Sequence, residues 1–392
     1  MNGSSTLHLS TQTLGLLYAQ ILIKRLNIVD HILFDVGFTF TVSFFSLFIL
    51  RKIAKTIGLV DKPNQRKMHQ GSIPLVGGIS VCVSILAFLF VNSSIFPHTG
   101  LFAFCIIVLM VVGALDDKFD ISFKIRLTIQ TFLSIVMMVF GDLQLSNIGN
   151  ILGAGDMLTL GWLGYVVTVL AVVGAINAFN MVDGIDGLLG GLSIVTLGSL
   201  GILLFHDGQT NIAYFCLILV VAILPYVLFN LGTFGRQRKV FMGDAGSMII
   251  GFTVVWLLLL SSQNGTAPPL TPVTALWLIA IPLMDMTTTM IRRIRKGQSP
   301  FKPDREHLHH IFQRLGMTSS QTLIVICFIA ACYAGMGIAS EMIGVPEHIM
   351  FYAFMTCFVL YFTLMSNIWR ISSWLKAQRS HTYKEAVTEE SL

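Results

Sequence analysis

The chain has 392 residues, of which 54% are hydrophobic and 11% charged, with a mean hydropathy of +0.78. Soluble domains carry about 25% charged residues, so the composition excludes a string of soluble domains and predicts an all-α, polytopic integral membrane protein. The net charge is +5, and the Lys and Arg residues that give it lie beside apolar segments. We therefore expect membrane lipids and phosphorylated substrates as its counterparts, and no nucleic acid.

Apolar segments long enough, or nearly so, to cross a hydrocarbon core of about 30 Å recur along the chain. They predict about eleven transmembrane helices, at residues 31–50, 73–97, 100–115, 127–140, 160–178, 188–205, 211–230, 247–262, 272–291, 321–342 and 348–368. Residues 31–370 would thus form one transmembrane domain, with a cytoplasmic tail at 371–392. Residues 1–30 contain only a short apolar run, which predicts an interfacial or non-native extension.

The basic residues are sorted between the gaps that separate these segments. Of the 25 Lys and Arg residues, all except Lys24 and Arg25 lie in alternate gaps or in the tail. Because basic residues are retained on the cytoplasmic side of a membrane, these gaps are predicted to face the cytoplasm. An odd number of spans then places the N-terminus outside and the C-terminus inside.

The first polar cluster on the predicted cytoplasmic side is Asp116-Asp117, in GALDDKFD at the end of the third span. Adjacent carboxylates at a membrane boundary can share a divalent metal, or one can stay protonated and act as a base. A solvated helix end is the simpler alternative.

The second cluster lies in NAFNMVDGIDG, which contains Asn180, Asp183 and Asp186. The two acids are three residues apart and would share one face of a helical turn, while the adjacent glycines allow close approach to a ligand. No cation within the segment neutralises them. The segment therefore indicates a binding site more than a simple span ending.

The third cluster, VFMGDAGS, contains Asp244 and leads into the eighth span. Asp244 is either an N-cap or, with the flanking glycines, part of a phosphate or metal site at a helix N-terminus.

The fourth cluster is PDREHLHH. It supplies three histidines without a fourth ligand at a typical zinc spacing, so we favour phosphate binding over zinc or a solvated loop. Its candidate residues are Arg305, His307, His309 and His310.

Two further segments have an open interpretation. Asp285 lies inside the ninth span, where an acid is a functional candidate by default, but we favour a structural hydrogen bond to a neighbouring helix. The basic loop from Asp61 to His69, followed by IPLVGG, either holds a lipid phosphate or only anchors the topology.

Carboxylates, cations and glycines thus gather on one side of the membrane. This combination is typical of a divalent metal with phosphates, as in phosphoryl transfer. A secondary transporter of an anionic solute would also need many spans, but it predicts ionisable groups within the membrane and matching halves, and only Asp285 fits. A structural scaffold explains none of the acids.

Five motifs, in order over about residues 36–370, resemble the polyprenyl-phosphate N-acetylhexosamine-1-phosphate transferases. They are DKPNQRKMHQGSIPLVGG, GALDDKFD, NAFNMVDGIDGLLGG, VFMGDAGS and PDREHLHH. The form HLHH is most similar to the members that transfer GlcNAc-1-phosphate from UDP-GlcNAc to undecaprenyl phosphate and release UMP, at the start of O-antigen and enterobacterial common antigen synthesis. Another UDP-N-acetylhexosamine is the alternative donor.

The resemblance implies Mg²⁺, or alternatively Mn²⁺, a bacterial inner membrane location with catalytic loops on the cytoplasmic face, and a homodimer as one common state. It also implies residue roles. The metal ligands would be Asp244 and Asp117. The catalytic residues would be Asp116, Asp117, Asp183, Asp186 and His307. The substrate-binding residues would be Asn180, Asn230, Lys124 or Arg126, Arg305, His309 and His310, with Lys124 and Arg126 as alternatives for the lipid phosphate.

Overall fold

The computed structural model describes the backbone of residues 11–61, 71–263, 268–300 and 307–389. Side chains are described for the same ranges from residue 30 to residue 368. Within these ranges the chain is helical apart from connecting loops and one two-stranded antiparallel sheet, which confirms the all-α prediction. Arg305 and most of the basic loop after Asp61 lie outside the described residues.

The helices follow the predicted apolar segments closely. In chain order they are α1 (Thr11–Ile57), α2 (Gly77–Val91), α3 (Thr99–Phe119), α4 (Phe123–Gly141), α5 (Leu163–Val182), α6 (Leu188–His206), α7 (Thr210–Asn230), α8 (Gly243–Ser262), α9 (Pro272–Leu278), α10 (Ala280–Arg295), α11 (Leu308–Arg314), α12 (Ser319–Met342) and α13 (Glu347–Glu389), with strands β1 (Val60–Asp61) and β2 (Ile73–Pro74) between α1 and α2.

Nine of the described helices are long and apolar enough to span a membrane, and the bent pair α9–α10 makes a tenth candidate. Helix α2, with 15 residues, is shorter. The structure therefore confirms a polytopic membrane protein, while the count of eleven crossings stays a prediction. Helix α1 runs without a break from Thr11, so the predicted N-terminal extension is, from that residue on, continuous with the first span.

The bend of 83° between α9 and α10 has a local cause. Pro282 has no N–H to donate to the carbonyl of Leu278, four residues earlier, and its ring clashes with a continuous helix there. The Leu278 carbonyl instead accepts a hydrogen bond from the Thr196 hydroxyl of α6, at 3.1 Å. The bend changes the direction of α10, the helix that carries Asp285.

Helix α8 forms the centre of the bundle, and the 18-residue apolar stretch of this helix that could span a membrane is entirely buried. Its first turn packs backbone to backbone against two neighbours. A Cβ atom built on Gly78 of α2 would lie 2.1 Å from the Cα of Gly246, and one built on Gly113 of α3 would lie 2.2 Å from the Cα of Ala245. Only glycine permits these approaches, which fix the helix start that carries Asp244.

The segment before α8 is also held by backbone hydrogen bonds. The amides of Gly77 and Gly78 donate to the carbonyls of Phe241 and Met242, both at 2.9 Å, and the Phe241 amide donates to Pro74. The Pro and Gly-Gly part of the first motif is thus used to position the Asp244 segment. Its glycine amides do not serve a lipid phosphate.

Candidate active site

Three carboxylates and one guanidinium meet where α3, α4 and α8 converge. Asp116 lies near the end of α3 and Arg126 in the first turn of α4. The Nη1 atom of Arg126 lies 2.5 Å from Oδ2 of Asp116 and 3.4 Å from Oδ2 of Asp244. One cation therefore contacts carboxylates from two helices that are separated by more than a hundred residues in sequence.

Asp117 holds the start of α8. Its Oδ1 accepts the amide N–H of Asp244 at 2.8 Å, and its Oδ2 accepts that of Ala245 at 3.4 Å. Gly243, at φ +76°, is tightly placed against this carboxylate, because a Cβ built there would collide with it. Asp117 thus caps the N-terminus of α8, which is the role that the sequence suggested for Asp244.

The Asp244 side chain is consequently turned away from its own helix start. Its Oδ1 accepts a hydrogen bond from Nδ2 of Asn180 at 2.6 Å, and the same amide nitrogen lies 2.8 Å from the Ser247 hydroxyl. Asn180 belongs to the last turn of α5. Arg126 and Asn180 together connect the carboxylate cluster to the neighbouring cavity.

With the three carboxylates ionised, the cluster of Asp116, Asp117 and Asp244 keeps two negative charges beyond the one that Arg126 neutralises. Carboxylate and amide oxygens are hard ligands of the kind that Mg²⁺ and Mn²⁺ prefer, so the residues present suit a divalent ion. Within the described part of the chain, no three His, Cys, Asp or Glu side chains are arranged as a ready metal cage.

A cavity of about 490 Å³ lies beside this cluster. It is lined by Arg126, by polar residues of α5 and by the histidine segment, His307 to His310. The lining residues are Phe123, Arg126, Leu127, Gln130, Asn177, Asn180, Met181, Asp183, Gly184, Arg293, His307, His309 and His310.

The structure distinguishes Lys124 from Arg126, the two alternatives for the cation that binds a phosphate. Arg126 lines the cavity and contacts Asp116, whereas the Lys124 side chain is exposed and does not line the cavity. The difference arises because residues two apart on a helix point in divergent directions. The structure therefore brings Arg126, and not Lys124, to the site.

The two acids of the second motif, Asp183 and Asp186, lie in different surroundings. Helix α5 ends at Val182, so Asp183 and Asp186 lie in a turn and do not share a helical face as predicted. Asp183 lines the cavity, while Asp186 forms an ion pair with Lys239 at 2.5 Å and does not line it. Lys239, in the loop before α8, thus supplies the positive charge that the segment around Asp186 lacks.

Asn230, predicted near a metal, joins two loops. Its Oδ1 accepts the amide N–H of Gly187 at 2.5 Å, and its Nδ2 donates to the carbonyl of Val240 at 2.9 Å. Both groups of its side-chain amide are therefore used to hold the Asp186 turn against the segment that leads to Asp244. Its position supports the site without lining the cavity.

The histidine segment forms another part of the cavity lining. His307 and His309 are buried, and the His309 ring lies between the other two, with ring centroids 5.9 Å from His307 and 4.2 Å from His310. Burial lowers the pKa of His309 to about 3, with a further lowering from the charge of His310. His309 is therefore neutral at physiological pH, and it contributes hydrogen bonding but no positive charge.

The position of His309 depends on Gly184. A Cβ atom built on Gly184 would lie 2.0 Å from Nε2 of His309, so the ring packs directly on the glycine backbone. Among the described residues, Nε2 of His309 has no hydrogen-bond partner, although it is buried. Packing of this nitrogen against the Gly184 backbone fixes the position and orientation of the His309 ring.

Three cavity residues with polar or charged side chains, Gln130, Asn177 and Arg293, were not among the candidates selected from the sequence. Asn177 donates to Oε1 of Gln130 at 3.1 Å, and both line the cavity with Arg293. Gln130 interrupts an apolar segment, which is a detectable signal. Arg293 was grouped with the topogenic cations, and only its burial distinguishes it from them.

The chain is similar to known proteins over most of its length. Residues 99–262 match the glycosyl transferase family 4. The undecaprenyl-phosphate alpha-N-acetylglucosaminyl 1-phosphate transferase of Escherichia coli (strain K12) is 54% identical over 340 residues, covering 86% of this chain and 92% of the relative. The proteins of the same name from Yersinia pestis and Pasteurella multocida (strain Pm70) are each 52% identical, with coverage of 86% and 87% of this chain and 92% and 95% of the relatives. The chain therefore belongs to the family of undecaprenyl-phosphate N-acetylglucosaminyl 1-phosphate transferases, as its motifs predicted.

Proposed function

We propose that this protein transfers GlcNAc-1-phosphate from UDP-GlcNAc to undecaprenyl phosphate, giving undecaprenyl-diphospho-GlcNAc and UMP. The observation that carries the proposal is the 490 Å³ cavity bounded by Arg126, Arg293 and three histidines next to a carboxylate cluster. A reaction between two phosphorylated substrates needs such charge neutralisation. The names of the relatives, which share over half of their aligned residues with this chain, support both substrates.

In the proposed reaction, an oxygen of the lipid phosphate attacks the phosphorus nearer the sugar. A new P–O bond forms, the bond from that phosphorus to the bridging oxygen breaks, and the electron pair leaves with UMP. The attacking oxygen is already anionic, so positioning and charge neutralisation supply the catalysis. We therefore favour direct displacement over a covalent phospho-aspartyl intermediate, which also accords with the use of Asp117 as a cap for α8.

The residues take distinct parts in this scheme. Arg126 contacts phosphate at the mouth of the carboxylate cluster, and its ion pair with Asp116 fixes its guanidinium in that place. Asn180 and Asp183 contact the nucleotide or sugar from the α5 side. His307, His309 and His310 contact the donor from the histidine segment, with His309 as a neutral group.

A divalent cation, Mg²⁺ or Mn²⁺, completes the proposal. Asp244, with Asp116 or Asp117 beside it, would hold the ion, since these carboxylates carry more negative charge than Arg126 neutralises. Bound there, the ion would supply charge stabilisation for the pyrophosphate of the donor.

The proposed setting is a bacterial inner membrane, with the cavity on the cytoplasmic face. The cavity residues of α4, α10 and the histidine segment border gaps that are rich in Lys and Arg, and those of α5 fall on the same side by alternation of the spans, which supports this orientation. The product would enter O-antigen or enterobacterial common antigen synthesis. A homodimer is part of the proposal by family resemblance alone.

The test is a donor panel with purified protein in detergent. UDP-GlcNAc, UDP-GalNAc and UDP-glucose are each supplied with undecaprenyl phosphate and Mg²⁺, and both UMP release and the lipid-linked sugar are measured. We expect a lipid product and equimolar UMP with UDP-GlcNAc, and neither with Asp244→Asn. Release of UMP without lipid phosphate, or no lipid-linked product from any donor, would refute the proposal.

A second arm addresses the alternative transporter function. The protein is reconstituted in vesicles without lipid phosphate and supplied with radiolabelled UDP-GlcNAc outside. Accumulation of intact nucleotide sugar inside would favour transport, whereas the transferase predicts none.

A further inference from the structure

Asp285 is a buried acid in the membrane part of the chain whose carboxylate receives three donors. Only 1% of the residue is exposed. Its Oδ2 lies 2.8 Å from Nδ1 of His307, while its Oδ1 accepts the Leu308 amide and the Tyr361 hydroxyl, both at 3.0 Å. One carboxylate thus joins α10, the start of α11 and α13.

The helix bend makes this contact possible. Because α9 and α10 meet at 83°, α10 runs past the histidine segment, and Asp285 faces protein on every side. The prediction of a structural hydrogen bond from Asp285 to a neighbouring helix is confirmed by Tyr361 of α13. The bond to His307, however, reaches a residue that lines the cavity.

The pairing restricts what His307 can do. A neutral imidazole has one donor and one acceptor nitrogen, and a carboxylate only accepts. Nδ1 must therefore carry a proton to bond with Asp285, and His307 can contact a molecule in the cavity only through Nε2. Partners of this kind set the tautomer and ring orientation of functional histidines.

We propose that Asp285 is a positioning residue for the transfer reaction, which keeps the proton of His307 on Nδ1 and directs Nε2 to the donor substrate. This inference rests on the proposed transferase function. The contact with Tyr361 fixes the carboxylate in turn, so α13 contributes to the site from a distance. Asp285 itself lies behind His307 and does not touch the substrate.

Asp285→Asn tests the tautomer directly. Two of the three donors bond to one oxygen, so an Asn side chain keeps its single oxygen toward Leu308 and Tyr361. Its NH₂ group then faces Nδ1 of His307, which must become an acceptor with the proton on Nε2. The size of the side chain is unchanged, so the packing stays nearly the same.

Asp35→Asn is the matched control. Asp35 is also a buried acid, 9% exposed, and it accepts hydrogen bonds from the Tyr214 hydroxyl at 2.9 Å and from Asn92 at 3.3 Å. Among the described residues its hydrogen-bond partners include no histidine, and it does not line the cavity. The same substitution there reproduces the loss of a buried carboxylate without changing a ring tautomer.

The measurements are steady-state kinetics and ¹⁵N NMR of histidine-labelled protein in detergent, with His307→Gln used to assign the signal. We expect Asp285→Asn to lower kcat about 10- to 100-fold and to change KM less than threefold. This is the range of effects when the hydrogen-bond partner of a metal-ligating histidine is removed. The His307 signal should move from the Nδ1–H to the Nε2–H form. Asp35→Asn should change neither.

Two results would overturn the inference. One is a full kcat in Asp285→Asn, and the other is a fall in kcat while His307 keeps its Nδ1 proton, which would mean a structural role only. The NMR measurement needs no turnover, so it remains valid if the substrates differ from those proposed. Conversely, a wild-type protein inactive with UDP-GlcNAc but with the Nδ1–H form refutes the proposed function and leaves the pairing intact.

Discussion

Gly184→Ala should impair the reaction by displacing His309. The added Cβ would lie 2.0 Å from Nε2 of His309, whereas ordinary contact begins at 3.4 Å, so the ring must retreat by about 1.4 Å. The backbone of Gly184 does not lie in the left-handed region that favours glycine, so the effect is steric. Misplacement by about 1 Å can cost roughly 100-fold in rate, equivalent to about 2.7 kcal/mol of barrier.

The assay is UMP release at varied UDP-GlcNAc, giving kcat and KM for each variant. Gly174→Ala is the matched control, because Gly174 lies ten residues earlier in the chain, in α5, and its added Cβ would meet only a methionine methyl at 3.7 Å. We expect Gly184→Ala to lose about 100-fold in kcat/KM and Gly174→Ala to stay within threefold of wild type.

The mechanism is isolated by a double-mutant cycle with His309→Ala. If Gly184→Ala acts through the ring, it should have little further effect once the ring is gone. A folded Gly184→Ala protein with kcat/KM within threefold of wild type would refute the role of His309 in the site. Equal losses from Gly184→Ala with and without the His309 ring would refute the steric mechanism.

Three further outcomes are expected. Arg126→Gln should lower kcat/KM about 100-fold, since it removes the cation beside Asp116, while Lys124→Gln should stay within threefold in the same UMP assay; the reverse order would contradict the placement of Arg126. Gly78→Ala should lower the Tm in detergent, because its Cβ would meet the backbone of α8 at 2.1 Å and overpacking costs about 1–3 kcal/mol; an unchanged Tm would argue against the close packing of α2 on α8. The pKa of His309 falls from 6.5 in the unfolded chain to about 3 when folded, so the unfolded state binds the proton between these values and stability is lost as pH falls below about 6.5, by about 2 kcal/mol at pH 5. His309→Gln should therefore reduce the drop in Tm between pH 7 and pH 5, and an equal drop in both proteins would refute a buried neutral ring.

The sequence predicted most of the fold because hydropathy is a local property. A membrane helix must satisfy its backbone internally and present apolar side chains to lipid, so each span is detectable without knowledge of its neighbours. The break between α9 and α10 was not predicted, although Pro282 marks it. The carbonyl left free by the proline is satisfied by Thr196, a partner that no local pattern can identify.

The site was predicted less completely, because its pairings join distant segments. Asp186 was expected beside Asp183 at the ligand, but its ion pair with Lys239 depends on how two loops meet. The choice between Lys124 and Arg126 depended on the phase of α4 relative to α3 and α8. Residue types at the ends of the spans thus predicted which residues gather near the cavity better than they predicted what each residue contacts there.

The cavity is bounded by two walls that are held by different means. The α5 wall is fixed to the carboxylate cluster through the hydrogen bond from Asn180 to Asp244 and through the packing of Gly251 of α8 on the backbone of Ile176. The histidine wall is held through Asp285 to α10 and α13. The walls touch where the His309 ring rests on Gly184. A shift of either wall must therefore change the distance between Arg126 and the histidines, and a substrate with two phosphate groups would respond to that distance. For this reason residues that act through a neighbouring side chain, such as Asp285 through His307 and Gly184 through His309, are expected to affect kcat as strongly as the side chains that contact the substrate.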